Sequence, residues 1–553
     1  MKSHPTSLSS AVVAEMQNVN DRRETPLPLH NTGGGTTPPS HFWSDRLFEG
    51  GLIISLALYY IFCNPSLPIG LFPHANPLFA LPFLVLFAIF CWYRLPFAIA
   101  LLPLTLPYYF YQKPIIGSSR FSLVEITLGI CVLVALLRHL FIHQERRLSW
   151  TRLRNLLGPF LLPILVFLLV AGLSITIAYA QKPALRTFRE EVLDPLLYVV
   201  LALSYLRTRQ DLQRLLVALL GTGMVIALLG IGQMLFFQNT LVKEADGIRR
   251  VHTVYGSANS IGLLFDYVIP LALALLMARI SWRVRLVVLA LCVPLFYTLY
   301  LSNSRGAWIA VPVAAFFIIA FAIRNRKVLL ISGSILAVVL IISAFVFQTQ
   351  ISEFVNGHTN AKGISSLAKR PYIWQSALNM IHDSPWLGYG LDNWLCHYSP
   401  NKVCKNNLHK YWIVRDPVTH ASTGLADEPN ISHPHNVFLH VWVSMGVFGL
   451  LAFGVVLILF FWLFARIIKQ LARSQLADSP HLRWMAVGLA GAMLAAMLQG
   501  QIDSAFLEQD LAFCFWMLVT ALLLLRDLSG TTWRDASGRP LDRRQVGLVK
   551  ATE

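Results

Sequence analysis

Charge is what this chain has least of. Only 13% of its 553 residues are Asp, Glu, Lys or Arg, 56% are hydrophobic, and the mean hydropathy is +0.58. That balance excludes a water-soluble globular domain of this size. Ten-residue alternation of apolar and polar positions is also missing, which excludes a transmembrane β-barrel. Neither a fixed repeat of about 20–50 residues nor an inverted transporter-type repeat is visible. No signal peptide is visible either. The first 46 residues are polar, with segments such as Thr36-Thr37-Pro38-Pro39, and read as a disordered cytoplasmic tail.

What the chain has is long apolar runs. Phe121–Phe141, Gly158–Ala180, Leu215–Phe237 and Val437–Ala465 are among those that approach or exceed the roughly 20 residues needed to cross a bilayer as a helix. The expected fold is therefore all-α: a polytopic inner-membrane protein of about 12–14 transmembrane helices. Up to fourteen spans are readable, near 47–63, 77–93, 95–111, 121–141, 156–180, 190–206, 215–237, 258–278, 284–302, 306–323, 328–348, 435–465, 484–500 and 509–525.

The formal net charge of +17 invites a nucleic-acid reading, which fails once the charges are placed. Lys and Arg collect in short gaps between spans, such as Arg138 to Arg154, Arg207 to Arg214, Arg279 to Arg285, Arg324 to Lys327 and Arg466 to Arg473. This is the positive-inside pattern of a membrane protein. It puts both termini in the cytoplasm and the long loop 348–434 outside, with no nucleic acid as partner. The expected organisation is a tail at 1–46, an N-terminal bundle at 47–283 and a catalytic region at 284–465. C-terminal helices at 466–527 and a basic cytoplasmic tail at 528–553 follow.

Loop 348–434 carries Trp374, Trp386, Trp394 and Trp412 and is too long for a passive connector. Residues 366–381 read as an amphipathic helix on the membrane surface. Pro371 falls in its first turn, and Ile373, Ala377, Met380 and Ile381 form its apolar stripe. Cys396 and Cys404 pair if this loop faces an oxidising compartment; otherwise they are two free thiols. Cys63, Cys91, Cys131, Cys292 and Cys514 lie in or beside spans and read as small core residues.

Several polar groups gather on the external face. His433-Pro434-His435-Asn436 opens an apolar span, where imidazoles are costly unless they act on something. Plainer readings are a helix cap from Asn436 or Ser432, or a His-x-His metal site that lacks nearby carboxylates. Arg305 sits in the tight turn Ser302 to Trp308, placed either to bind an anion or to snorkel to lipid phosphate. Arg370 precedes Trp374 at helical spacing, and its plain reading is a solvated surface charge. Gly388 and Gly390 flank Tyr389 in a turn that permits close backbone approach. Arg186 and Arg189, then Lys243, Arg249, Arg250 and His252, add external charge, and Asp266 lies within a span.

The order of these motifs resembles the O-antigen ligase and O-antigen polymerase family of bacterial envelope glycosyltransferases. The matching features are Ser304-Arg305-Gly306-Ala307-Trp308, Arg370 with Trp374, Pro385 to Gly390, His433-Pro434-His435-Asn436 with Leu439, and Gly446 with Gly449. They cover Val284–Phe464, about a third of the chain. The resemblance implies transfer at the periplasmic face of an inner membrane, from an undecaprenyl-pyrophosphate-linked glycan to a sugar hydroxyl of lipid A–core. It implies inversion at the anomeric carbon and neither metal nor other cofactor. On this reading His435 is catalytic and Arg305 and Arg370 bind the donor pyrophosphate. Arg186, Arg189, His433, Asn436 and Tyr389 are supporting candidates. Another lipid-linked glycan (a polymerase) and a protein side chain (an O-oligosaccharyltransferase) are the alternative acceptors. A flippase would show charged or broken spans at mid-membrane, whereas the titratable groups here, Asp266 apart, collect at one face.

Overall fold

Helices begin where the sequence supplies caps. Ser122 and Glu125 form a reciprocal capping box ahead of Leu123–Phe141, and Thr208 and Asp211 form one ahead of Arg209–Phe236. Ser281 caps Trp282–Ser302, which ends on Asn303 in the left-handed conformation. Arg305–Ala322 starts two residues later, so Arg305 is held between two helix ends.

The computed structural model describes residues 42–63, 77–108, 113–116, 119–142, 149–243, 249–322, 326–346, 369–399, 404, 410–412, 430–473 and 479–533. Eight of the described helices are long and apolar enough to cross a membrane, and three shorter apolar helices accompany them. The chain is an all-α polytopic membrane protein. The described strands are two short hairpins, Lys113–Ile116 with Ser119–Phe121 and Val242–Lys243 with Arg249–Arg250. Of the expected tails, 1–41 and 534–553 lie outside the described residues, as does much of loop 348–434.

Within Phe48–Glu553 three helices form the centre. Gln509–Leu528, Asn259–Met277 and Ser479–Gln499 bury 89%, 78% and 61% of their apolar windows, against 28% for Trp282–Ser302. The peripheral helices leave Val293, Ile341 and Ile458 exposed, which suits a surface covered by lipid rather than water. Cys91, Cys131, Cys292 and Cys514 are buried.

Two expectations need correction. The span near 435–465 is not one straight helix. Val437–Arg473 is interrupted at Gly446, which has φ 68° and ψ −173°. The break frees backbone groups that pair with the Gly388–Gly390 turn. Tyr389 N–H donates to the Val443 carbonyl (2.7 Å), Gly390 N–H to Ser444 (3.1 Å) and Val447 N–H to Pro385 (2.9 Å). A Cβ on Gly388 would lie 2.5 Å from the Val443 oxygen, and one on Gly446 would lie 2.0 Å from the Trp386 oxygen. The second correction concerns the amphipathic helix, which runs Arg370–Asp383 with Pro371 in its first turn. Its stripe of Ile373, Ala377, Met380 and Ile381 packs on Trp394, Tyr398, Tyr411 and Val443. The apolar face is thus satisfied by protein rather than by the membrane surface.

Candidate functional site

His435 takes a backbone conformation that a side-chain-bearing residue rarely adopts, with φ 52°. Its neighbours hold it there. The Trp374 indole donates to the His435 carbonyl (3.3 Å), and the His435 N–H donates to His433 Nδ1 (3.3 Å). Asn436 caps the helix that follows, accepting from the Phe438 and Leu439 amides at 3.0 Å each. Asn436 therefore caps this helix. Because His433 accepts at Nδ1, its proton lies on Nε2, which faces Glu508 at 3.4 Å.

The ring of His435 meets Asp503, with Nδ1 and Oδ1 2.8 Å apart. A carboxylate there accepts the Nδ1 proton and leaves Nε2 as the basic nitrogen. The carboxylate that the His-x-His segment lacks in sequence is supplied by the turn between the last two long helices. That turn is tied to the histidine segment: Val437 N–H donates to Gly500 (2.7 Å) and Asn436 Nδ2 to Gln501 (3.0 Å). The next histidine, His440, contacts Ser504 Oγ at 2.7 Å.

These groups open into a cavity of about 400 Å³ whose wall includes Glu191, Asp392, His433, His435, Asp503 and Glu508. A smaller cavity of about 50 Å³ adjoins it, lined by Arg250, Arg305, Arg370, Gln499, Asn259 and Asp503 among others. Asn259 and Asp503 belong to both walls. Arg370 is only 4% exposed and Arg250 only 7%, so the plain reading of Arg370 as a solvated surface charge is overturned. The first turn of Arg305–Ala322 adds Ser304, Arg305 and Gly306 to the same wall. The N-terminus of a helix favours an anion, here beside these guanidinium groups.

Other expected residues lie elsewhere. Arg186 pairs with Glu190 (2.9 Å), and Arg189 pairs with Glu190 (2.9 Å) and Glu125 (2.8 Å). Neither arginine lines either cavity. Tyr389 lines neither cavity. Its hydroxyl meets Tyr411 at 2.8 Å and its ring packs on His397. Burial, with Lys410 adding to it, pushes His397 down to about 4, so it is neutral near pH 7. Cys396 and Cys404 are joined in a disulfide. Both carboxylate oxygens of the fully buried Asp266 lack a hydrogen-bond partner among the described residues.

Among the described residues, His433, His435 and Asp503 form one group able to hold a metal ion, with ligand atoms within 4.8 Å of one another. The same atoms also serve a proton-transfer dyad, since 2.8 Å between His435 and Asp503 is an ordinary hydrogen-bond length. Sequence reasoning noted Arg250 only as external charge and missed Asn259, Asp503 and Glu508. Two carboxylates in a short turn between apolar spans were the available signal.

Residues 290–454 match the family model described as O-antigen ligase. The match includes Arg305, Arg370, His433 and His435 and stops short of Asp503. Comparison with curated proteins gives no match.

Proposed function

We propose that this O-antigen ligase family member transfers a glycan from undecaprenyl pyrophosphate to a hydroxyl of lipid A–core, at the periplasmic face of a bacterial inner membrane. The observation that carries the reading is the pair of adjoining cavities. One holds a histidine–carboxylate dyad, the other holds three arginines, and they share Asn259 and Asp503.

The chemistry divides between them. In the larger cavity His435 Nε2 accepts the proton of the acceptor hydroxyl as its oxygen attacks the anomeric carbon. Asp503 keeps the other ring nitrogen protonated and stabilises the imidazolium that forms, the role a carboxylate plays in hydrolytic triads. In the smaller cavity Arg305 and Arg370 hold the pyrophosphate, whose bond to the anomeric carbon breaks with charge leaving on the phosphate oxygens. Guanidinium groups stay charged and grip such oxygens bidentately. Fixed positive charge at a developing anion is commonly the largest catalytic contribution. One displacement inverts the anomeric centre. The arginines supply the charge neutralisation that a divalent cation gives in other transferases, so the mechanism needs no metal or other cofactor. Both lipid substrates reach the cavities sideways from the membrane.

The test is His435→Ala in cells, read by lipopolysaccharide gels and lipid extraction. A ligase defect leaves bare core, with long glycans retained on undecaprenyl pyrophosphate. Core capped by a single repeat unit would identify a polymerase instead. Loss of a glycosylated protein with normal lipopolysaccharide would identify a protein transferase. An unchanged glycan profile overturns the catalytic role of His435.

A further inference from the structure

The two cavities are joined by a chain of hydrogen bonds in which each donor and acceptor role is fixed by chemistry. Arg250 sits at the end of the short Val242–Lys243 and Arg249–Arg250 hairpin. Its Nε donates to the Ser302 carbonyl (2.6 Å), just before the Arg305 turn, and its Nη2 donates to Asn259 Oδ1 (2.6 Å). Asn259 is the first residue of the helix Asn259–Met277, and its Nδ2 donates to Asp503 Oδ2 (3.2 Å). The other oxygen, Asp503 Oδ1, meets His435 Nδ1 and also accepts from the Ser504 amide (3.0 Å).

We propose that Arg250 and Asn259 are positioning residues that hold Asp503 in place as the Nδ1 acceptor and so fix the tautomer of His435. A guanidinium can only donate, so the Asn259 amide must turn its oxygen towards Arg250. Its NH2 group then has to face Asp503. The carboxylate thereby spends Oδ2 on Asn259 and presents Oδ1 to the imidazole as an acceptor. The proton of a neutral His435 is held on Nδ1, and Nε2 is bare towards the larger cavity. The amide orientation, which is often ambiguous for an asparagine, is decided here by a donor-only group on one side and a carboxylate on the other. Arg250 also lines the arginine cavity, so the same side chain that stands beside the donor pyrophosphate fixes the base. The inference rests on His435 being the base. It adds that two residues 185 and 176 positions upstream (435 less 250 and less 259) decide which nitrogen does the work.

The experiment uses the full-length protein in lipid nanodiscs, labelled with 15N-histidine, with the His435 signal assigned by its loss in His435→Gln. The wild type is expected to show a single tautomer at His435, protonated on Nδ1. Asn259→Ala is expected to give mixed tautomers. Its kcat should fall about tenfold or more, its donor KM should change less than about threefold, and its kcat–pH profile should shift. A wild-type tautomer signal, kcat and pH profile in Asn259→Ala would overturn the proposal. If Asn259→Ala does not fold, Arg250→Lys and Arg250→Gln pose the same question through the tautomer signal. Lysine is donor-only and keeps the single tautomer. Glutamine can set its own carbonyl oxygen against Asn259 Oδ1, which displaces Asn259, loosens its hold on Asp503 and mixes the tautomers. Identical signals in the two variants refute the relay. Failure of the base reading looks different, because His435→Ala would then stay active whatever Asn259 does.

Discussion

His435 and Asp503 are 68 residues apart in the chain and 2.8 Å apart in space, one at the mouth of a long helix and the other in the turn between two buried ones. The pairing turns an exposed-looking histidine into an oriented one, since only 16% of its side chain and 8% of that of Asp503 remain accessible.

Asp503→Asn tests what that orientation contributes. The asparagine keeps the size but has an NH2 group that can face Nδ1 and reverse the tautomer. The expected loss in kcat is about 10²–10⁴-fold, with the thermal unfolding midpoint close to wild type. Initial rates of glycan transfer in reconstituted membranes measure it. A rate within about threefold of wild type would show that the carboxylate is incidental.

Much of the architecture is legible in the sequence because membrane crossing imposes long apolar runs. Arg305, Arg370 and His435 stand out in the sequence because each sits in a local motif, and the fold brings them to the two adjoining cavities. Asp503 and Asn259 are not. They are separated by 244 positions, and the carboxylates in the turn that holds Asp503 mark a polar spot without saying which side chains it meets. The break at Gly446 is missed for a related reason. A glycine in an apolar run is common in membrane helices, and only the approach of the Trp386 carbonyl reveals why this one cannot carry a side chain. The stripe on Arg370–Asp383 shows the limit of periodicity. Its face is read correctly, but the covering partner, the loop's own aromatics, follows from tertiary packing.

Arg305→Lys separates charge from geometry in the smaller cavity. Lysine keeps the positive charge but grips as a point, losing the planar fork that matches phosphate oxygens. Donor KM is expected to rise about tenfold and kcat/KM to fall about 10²-fold, with acceptor KM little changed. Steady-state kinetics with varied donor check this. Wild-type kcat/KM would remove the bidentate role.

Gly446→Ala tests the broken helix. The new Cβ would need to occupy space 2.0 Å from the Trp386 carbonyl oxygen, and φ 68° is strained for alanine. Overpacking and strain together predict a loss of about 2–4 kcal/mol. The expected signs are a lower unfolding midpoint and faster proteolysis of the 385–390 turn. Gly454→Ala, eight residues on in the same helix with open space around it, is the control that should leave both unchanged.

Asp383 clamps the disulfide-bearing loop to the end of Arg370–Asp383, accepting from the Tyr411 hydroxyl and from Lys410 Nζ, the latter at 2.9 Å. The Tyr411 hydrogen bond first, then Lys410, holds its carboxyl down at about 2. A carboxyl that is more acidic folded than unfolded stabilises above its unfolded value and loses that contribution as pH falls through the folded one. The clamp is therefore intact above about pH 4 and released as pH falls towards 2. Its side chain is 42% exposed, so solvent screening keeps the effect modest and local. Hydrogen exchange at residues 410–412, corrected for intrinsic rates, should show protection at pH 5 that is lost near pH 2. Asp383→Asn should lack most of that protection at both pH values and be cleaved several-fold faster by trypsin after Lys410. Equal protection in wild type and Asp383→Asn at pH 5 would mean that the disulfide between Cys396 and Cys404, rather than this carboxylate, holds the loop.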